Sequence, residues 1–169
     1  MKRATLIPVD MSTIPELKQP TALPAELRAC TGFLLARLGY AMKAITIQEF
    51  EREGFSMYQF SVLAVLAEGV VETQAKIADT LTLDRGQLVG ILDDLEEAGL
   101  VERRRDPSDR RRHTVSLTPA GKKRLVKMRS IVERIEDSFL EPLDEKARAA
   151  LHDALLRVAE NRDQRFQQR

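Results

Sequence analysis

A chain of 169 residues with 43% hydrophobic content can bury one sizeable core, or one core plus a second interface. Its 27 basic residues nearly balance 26 acidic ones, for a formal net charge of +1, so binding to nucleic acid through total charge is excluded and would have to come from a local cluster. One cysteine rules out an internal disulfide, two histidines make a poor zinc inventory, and no apolar run approaches the ~20 residues needed to cross a bilayer; no metal, cofactor or membrane partner is expected.

Residues 1–23 hold three prolines and little periodicity, which predicts an irregular or extended N-terminal arm, either disordered or lying along a partner subunit. Lys2 and Arg3 are followed by Pro8, Asp10 and Pro15 rather than an apolar run, so no secretory signal is expected and a cytoplasmic location is. Pro24 suits a first helical turn, and Leu27, Cys30, Leu34, Leu38, Ala41 and Ile45 then recur at three- and four-residue steps. That spacing predicts one long helix running to about Phe50 and ending near Gly54.

"FSMYQF" predicts the next start. Ser56 and Gln59 have capping-box spacing, and Phe55 and Phe60 are placed as a hydrophobic staple. Val62, Leu63 and Leu66 point inward, and Gly69 ends the helix. A short helix follows in "TQAKIADTL", capped by Thr73, with Ile77 and Leu81 toward the core. In "TLDRGQLVGILDDLEEAGL", Asp84 and Gln87 repeat the capping-box spacing, Leu88, Ile91, Leu92 and Leu95 form the apolar stripe, and Gly99 marks the stop. Gly90, in mid-helix, costs roughly 1 kcal/mol against alanine. Closeness to another helix or chance explains it, and so does close approach to a ligand such as a DNA groove.

After Gly99 the period becomes two. "LVERRR" and "HTVSL" predict short strands around the turn "DPSDRR". Thr118 and Pro119 then cap a helix carrying Leu125, Met128, Ile131, Val132 and Ile135. A last helix, beginning near Pro142, carries Leu143, Ala147, Leu151, Leu155 and Val158, and the polar "NRDQRFQQR" is expected to fray. The resulting division is an arm (1–23), a helical dimerisation region (24–54 and 119–163), a winged DNA-binding region (55–118) and a polar tail (164–169). The fold class is mainly α: a winged helix-turn-helix with a two-stranded hairpin and long terminal helices. The apolar faces of those terminal helices are expected to pack on each other and on a second copy, as a homodimer.

Between Val101 and Val115 stand six arginines, at 103–105 and 110–112, against Glu102, Asp106 and Asp109. The planar fork of arginine suits phosphate, and a projecting loop can carry it to a minor groove or the adjacent backbone. Asp109 can orient Arg111 two residues on, or accept a backbone N–H and shape the turn. A solvated charged hairpin is the plain alternative. The two helices before the hairpin have the length and turn of a helix-turn-helix whose second member enters a major groove. Arg85 can meet guanine or phosphate there, and Gln87 adenine if capping leaves it free. The later acids Asp93, Asp94, Glu96 and Glu97 would repel phosphate, so only the first turns of that helix fit the groove. Double-stranded DNA is the expected partner; Thr73, Gln74, Arg85, Gln87, Arg105, Arg110, Arg111 and Arg112 are the expected contacts, with Asp109 orienting the wing.

"LVERRRDPSDRRRHTVSLTPAG" at 100–121 resembles the wing of the MarR family of winged helix-turn-helix regulators, with Asp109, Arg111, Leu117, Thr118 and Gly121 at the family's Asp-x-Arg and Leu-Thr-x-x-Gly positions. "LDDLEEAGLVERR" is similar to the end of its recognition helix, and the likeness extends more loosely over residues 26–162. The resemblance implies a homodimer with interlocked terminal helices. It implies a transcriptional regulator, most often a repressor, that leaves a palindromic operator when a small aromatic or phenolic ligand binds. By motif position Arg111 is the minor-groove arginine. Asp84, Gly86 and Gly90 depart from the family's usual hydroxyl and basic residues, leaving fewer base-reading side chains and more room for shape readout.

For the ligand, Phe33, Leu38, Tyr40, Met57, Tyr58 and Phe60 are candidate lining residues, and core packing explains them equally well. Cys30 is read as a buried apolar cysteine rather than a redox sensor, because it sits two residues before Gly32 whereas sensing relatives place theirs nearer that glycine. His113, among arginines, is read as a solvated hairpin histidine, and His152 as a helix-surface or interface residue. No nucleophile, base and orienting group can be assembled, so no enzyme is expected. A ligand-independent activator or architectural DNA binder, and a winged-helix adaptor that reads no DNA, are the alternatives.

Overall fold

A computed structural model of the chain describes residues 22–69, 72–105 and 113–166. Helices α1 (Ala25–Ala29) and α2 (Thr31–Arg52) come first, then α3 (Met57–Glu68). A two-residue strand β1 (Glu72–Thr73) leads into α4 (Gln74–Leu81) and α5 (Arg85–Glu97). Strands β2 (Val101–Arg105) and β3 (His113–Leu117) follow, then α6 (Pro119–Phe139), α7 (Glu145–Arg162) and a 3-10 turn at Gln164–Phe166. The sheet order is β1-β3-β2, antiparallel throughout, with Glu72 opposite Val115 and Arg103 also opposite Val115 on the other side.

The core is where the apolar stripes converge. Val62, Leu63, Ile77, Leu88, Leu92, Leu95 and Val115 are buried between α3, α4, α5 and the sheet, and Leu125, Met128, Ile131 and Ile135 bring α6 onto the same cluster. Phe50, at the end of α2, is fully buried; Phe55 and Phe60 both meet its ring edge-on, at 6.3 and 5.6 Å between centroids. The staple expected between Phe55 and Phe60 is therefore built around a third ring. Arg124 and Lys127 lie over Phe55, and Lys127 reaches Glu53 at 2.6 Å, fastening α6 to the α2–α3 corner. That ammonium lowers the Glu53 carboxyl below its usual value.

Local caps follow the sequence closely. Ser56 and Gln59 make a reciprocal capping box; Thr73, Asp84, Thr118 and Asp144 each accept the N–H three residues on. Gly99, at φ 67°, closes α5: its N–H bonds Glu96 and the Leu100 N–H bonds Leu95, both with short carbonyl contacts of 2.9 and 2.8 Å. Gly121 explains itself by contact. A Cβ there would meet the Leu100 carbonyl oxygen at 2.0 Å, while Thr118 donates to the Gly99 oxygen and caps Gly121. The Thr-x-x-Gly sequence thus lets the first turn of α6 lie directly on the backbone at the end of α5.

Several expectations are corrected. The first helix is not continuous: Cys30, with ψ 104°, breaks it into α1 and α2. Cys30 is exposed in the single chain rather than buried, because at this break it caps α2 instead of standing on its apolar face. The last helix begins at Glu145, after the Asp144 cap, leaving Pro142 and Leu143 outside it. Its end does not fray through residue 166; Arg165 anchors the turn to Asp163 and reaches the Thr82 hydroxyl. β1 was not anticipated. The terminal helices pack on each other only in part within the chain: α6 buries Leu125, Met128, Ile131 and Ile135 in the cluster that holds Phe50 of α2, but α7 buries no side chain, and Leu34, Leu38, Leu151 and Leu155 are all exposed. Closeness to another helix is ruled out for Gly90 within the chain, since an added Cβ would meet nothing within 4 Å. Among the described residues no helix is long and apolar enough to cross a membrane.

Candidate nucleic-acid interface

The fold gathers one end of α4, the first turns of α5 and the sheet around a shared concavity. β1 is the reason. Pairing Thr73 with Thr114 ties the start of α4 to β3, so Thr73 and Gln74 come to lie beside His113. On the other side α5 enters with Arg85, Leu88 and Val89. Together with Ala75, Lys76 and Asp79 these residues border a hollow of about 670 Å³. Lys76, Arg85 and His113 border it together with one acid, Asp79, and the Lys76 ammonium also pairs with Glu72 at 2.6 Å. The first residues of α4 and α5 both border this hollow, and a helix start favours anions, with Asp84 capping the one at α5.

Of the residues singled out from sequence, Thr73, Gln74 and Arg85 are thus brought together. Gln87 is exposed on the same first turn. Its backbone N–H is taken by the Asp84 carboxylate at 2.8 Å, but its side chain returns no bond to the cap and stays available. Arg105 is exposed at the end of β2, at the mouth of the hairpin. Asp109, Arg110, Arg111 and Arg112 lie outside the described residues.

Arg103 belongs to this site in a way the sequence reading missed. Its guanidinium donates to Asp93 at 2.7 Å and to Glu96 from Nε at 2.8 Å, and its N–H also bonds the Glu96 carboxylate. The pair lowers the Glu96 carboxyl and raises the Arg103 guanidinium relative to their usual values. Two of the acids expected to repel phosphate are therefore compensated from β2, and the sheet is braced against the back of α5. The signal was available: alternation puts Arg103 on the same side of β2 as buried Val101, facing the α5 acids. Arg104 instead pairs with Glu102 on the open side. Ala75, Lys76, Asp79, Leu88, Val89 and His113 also border the hollow and were not expected at the interface.

The six ligand candidates are divided by the structure. Met57 and Phe60 pack on the core, Phe33 is half-buried on α2, and Leu38, Tyr40 and Tyr58 are exposed. None of them borders the hollow described above. Among the described residues no group of three or more His, Cys, Asp or Glu is placed to hold a metal ion.

A model described as the MarR family matches residues 55–113, the span from the Phe55 corner to the start of β3. The structure of a transcriptional repressor, CouR, bound to a 23-mer DNA duplex is 34% identical, covers 82% of this chain and 99% of that one, and superposes with a TM-score of 0.71. CouR from Rhodococcus jostii RHA1 bound to p-coumaroyl-CoA is 30% identical over 80% of this chain and 96% of that one, with a TM-score of 0.65. The HTH-type transcriptional regulator FarR of Neisseria gonorrhoeae is 31% identical over 105 residues, 62% of this chain and 72% of the relative. With a helix-turn-helix, a wing and long terminal helices arranged as in these proteins, the chain belongs to the MarR family of winged helix-turn-helix transcriptional regulators, which bind DNA and are not enzymes.

Proposed function

We propose that the protein is a homodimeric, sequence-specific repressor that binds a palindromic operator and is released from it by a small aromatic or phenolic ligand. The observation that carries the DNA-facing part is the convergence of Thr73, Gln74 and Arg85 on one cation-rimmed hollow beside the wing. Two such heads, held by a dimer, would read two half-sites in successive major grooves. Arg105 and the tip arginines Arg110, Arg111 and Arg112 extend the reach to the adjacent backbone or minor groove, with Asp109 orienting Arg111. The exposed leucines of α1, α2 and α7 supply the apolar surface for dimerisation by residues 24–54 and 119–163. Residues 1–23 act as an arm on that interface, and 164–169 as a tail at its edge.

The ligand part of the proposal rests on likeness to CouR, whose bound p-coumaroyl-CoA makes hydroxycinnamic acids and their thioesters the first compounds to screen. Phe33, Leu38, Tyr40, Met57, Tyr58 and Phe60 remain the proposed lining. A second copy would bring the exposed members among them under cover.

The test is a nuclease-protection footprint on the DNA flanking the protein's own gene at ~0.15 M salt, where nonspecific phosphate contacts are already screened. A short protected palindrome, lost on addition of p-coumaroyl-CoA or a related phenolic compound, is expected. Arg111→Ala should weaken protection while sedimentation still reports a dimer. Coverage without sequence preference that vanishes with salt would overturn the reading in favour of a winged adaptor.

A further inference from the structure

Val89 stands where an apolar side chain is out of place. It is 41% exposed on the outward side of α5, one turn after Arg85, and it borders the hollow whose other walls include Thr73, Gln74, Lys76 and His113. No part of the core covers it. Of its neighbours one turn before, Arg85 carries a long side chain and Gly86 carries none; Gly90, next in sequence, lies round the helix from it and is also bare. A Cβ on Gly90 would meet nothing, and one on Gly86 would meet only the Asp84 capping carboxylate, at 3.2 Å. The isopropyl group therefore projects with bare helix backbone at Gly86 and Gly90 near it, at the edge of a hollow bordered by Thr73, Gln74, Lys76 and Arg85. Facing water it gains nothing. Covered by an apolar group it gains the usual transfer free energy.

The rim decides what can cover it. Arg85 favours a polyanion, and so does Lys76, whose ammonium is shared with Glu72 at 2.6 Å. In the major groove of DNA the apolar feature is the C5-methyl of thymine, which stands out among hydrogen-bonding base edges. The two glycines allow α5 to lie deep enough for a short side chain such as valine to reach it. Longer residues at those positions would hold the helix off.

We infer that Val89 is a specificity-determining residue that selects thymine in each half-site by packing against its C5-methyl. This rests on the DNA-binding function proposed above and adds to it a direct readout at a helix that otherwise offers few base-reading side chains. Asp93, one turn further on, is held by Arg103 and does not compete.

The experiment begins with selection of bound duplexes from random DNA by the full-length protein. Each thymine of the selected half-site is then replaced singly by uracil, which removes only the methyl group, and affinity is measured for the wild type and for Val89→Ala. At one thymine, uracil should weaken wild-type binding about fourfold per half-site, the value of one buried carbon, and about fifteenfold when both half-sites are changed. Val89→Ala should bind the two DNAs nearly alike, as an unchanged dimer with unchanged thermal stability. Equal uracil penalties for both proteins, or half-sites without thymine, would overturn the inference alone. Failure to recover any bound duplex would overturn the DNA-binding function itself, and this inference with it.

Discussion

The head and the arms of this molecule use the same residues at the same spacing to opposite effect. In α3 and α5, leucines at three- and four-residue steps are almost completely covered: Leu63 and Leu92 are 0% exposed. In α2 and α7 leucines at the same steps are open, Leu38 at 53% and Leu155 at 41%. Periodicity states which side of a helix is apolar. It does not state what covers that side. In the head the covering surface comes from elements close in sequence, whose caps and short turns bring them together. In the arms it must come from another chain, and a second copy is what the family fold supplies.

The sharpest way to break that contrast is to make one change in both regions. Leu92→Ala should destabilise the protein by about 2–5 kcal/mol, since it leaves a cavity in a covered core. Its effect on thermal unfolding should not depend on protein concentration. Leu155→Ala should instead lower the midpoint only at concentrations where the wild type is a dimer, and the difference should vanish on dilution to monomers. Calorimetry across a concentration series reads both. A concentration-independent loss at Leu155 would mean that its face is covered within the chain.

Next comes the junction between the two regions. Gly121→Ala puts a methyl group into the Leu100 carbonyl, where the atoms have no flexible end to yield. A loss of about 1–3 kcal/mol is expected from this overpacking. Urea denaturation of the purified variant checks it, and unchanged stability would show that the first turn of α6 does not lie on the end of α5.

How much of this was legible depended on whether the signal was local. Capping residues carry their own mechanism, so Ser56, Thr73, Asp84 and Thr118 were placed from sequence, and Gly99 likewise. The wing strands followed from alternation. The break at Cys30 was invisible because the apolar spacing runs straight across it, with no proline or glycine at the break. β1 was hidden because two residues have no period, and its Thr73 already had a role as cap. The reason for Gly121 lay in a contact with a residue 21 positions earlier, which no local pattern reveals; the family motif flagged the residue without its cause. At the interface, Arg85, Thr73 and Gln74 could be named from their places at helix starts. Arg103 could not be separated from its neighbouring arginines until the sheet showed which of them faces α5.

A smaller effect is expected at Thr82, in the turn of the helix-turn-helix. It occupies the left-handed region at φ 52°, where a β-branched residue is strained, and it closes α4 as a glycine or asparagine commonly would. Thr82→Asn should stabilise the head by about 0.5–1 kcal/mol by relieving part of that strain. Denaturant midpoints decide it. A loss would show that the hydroxyl's bond to Arg165 outweighs the backbone strain.

That same bond supplies the finest test, because it is the point where the end of an arm touches the head. Asp163 accepts from the Arg165 N–H at 3.0 Å and from its guanidinium, leaving another guanidinium nitrogen to donate to Thr82. The guanidinium bonds first, and the backbone bond second, bring the Asp163 carboxyl down from 3.8 to about 2. Because the folded value lies below the ordinary one, the pair contributes fully above about pH 4 and is lost as pH falls through about 2. Asp163 is partly open and Arg165 exposed, so screening keeps the contribution to stability small. The titration itself is readable by carboxyl-carbon NMR. The wild-type midpoint should lie near 2, and in Arg165→Ala it should return toward 3.8 while Thr82 loses its partner. A wild-type midpoint already at the ordinary value would mean that the guanidinium is not held, and that nothing at this end of α7 fixes the arm to the turn that presents α5.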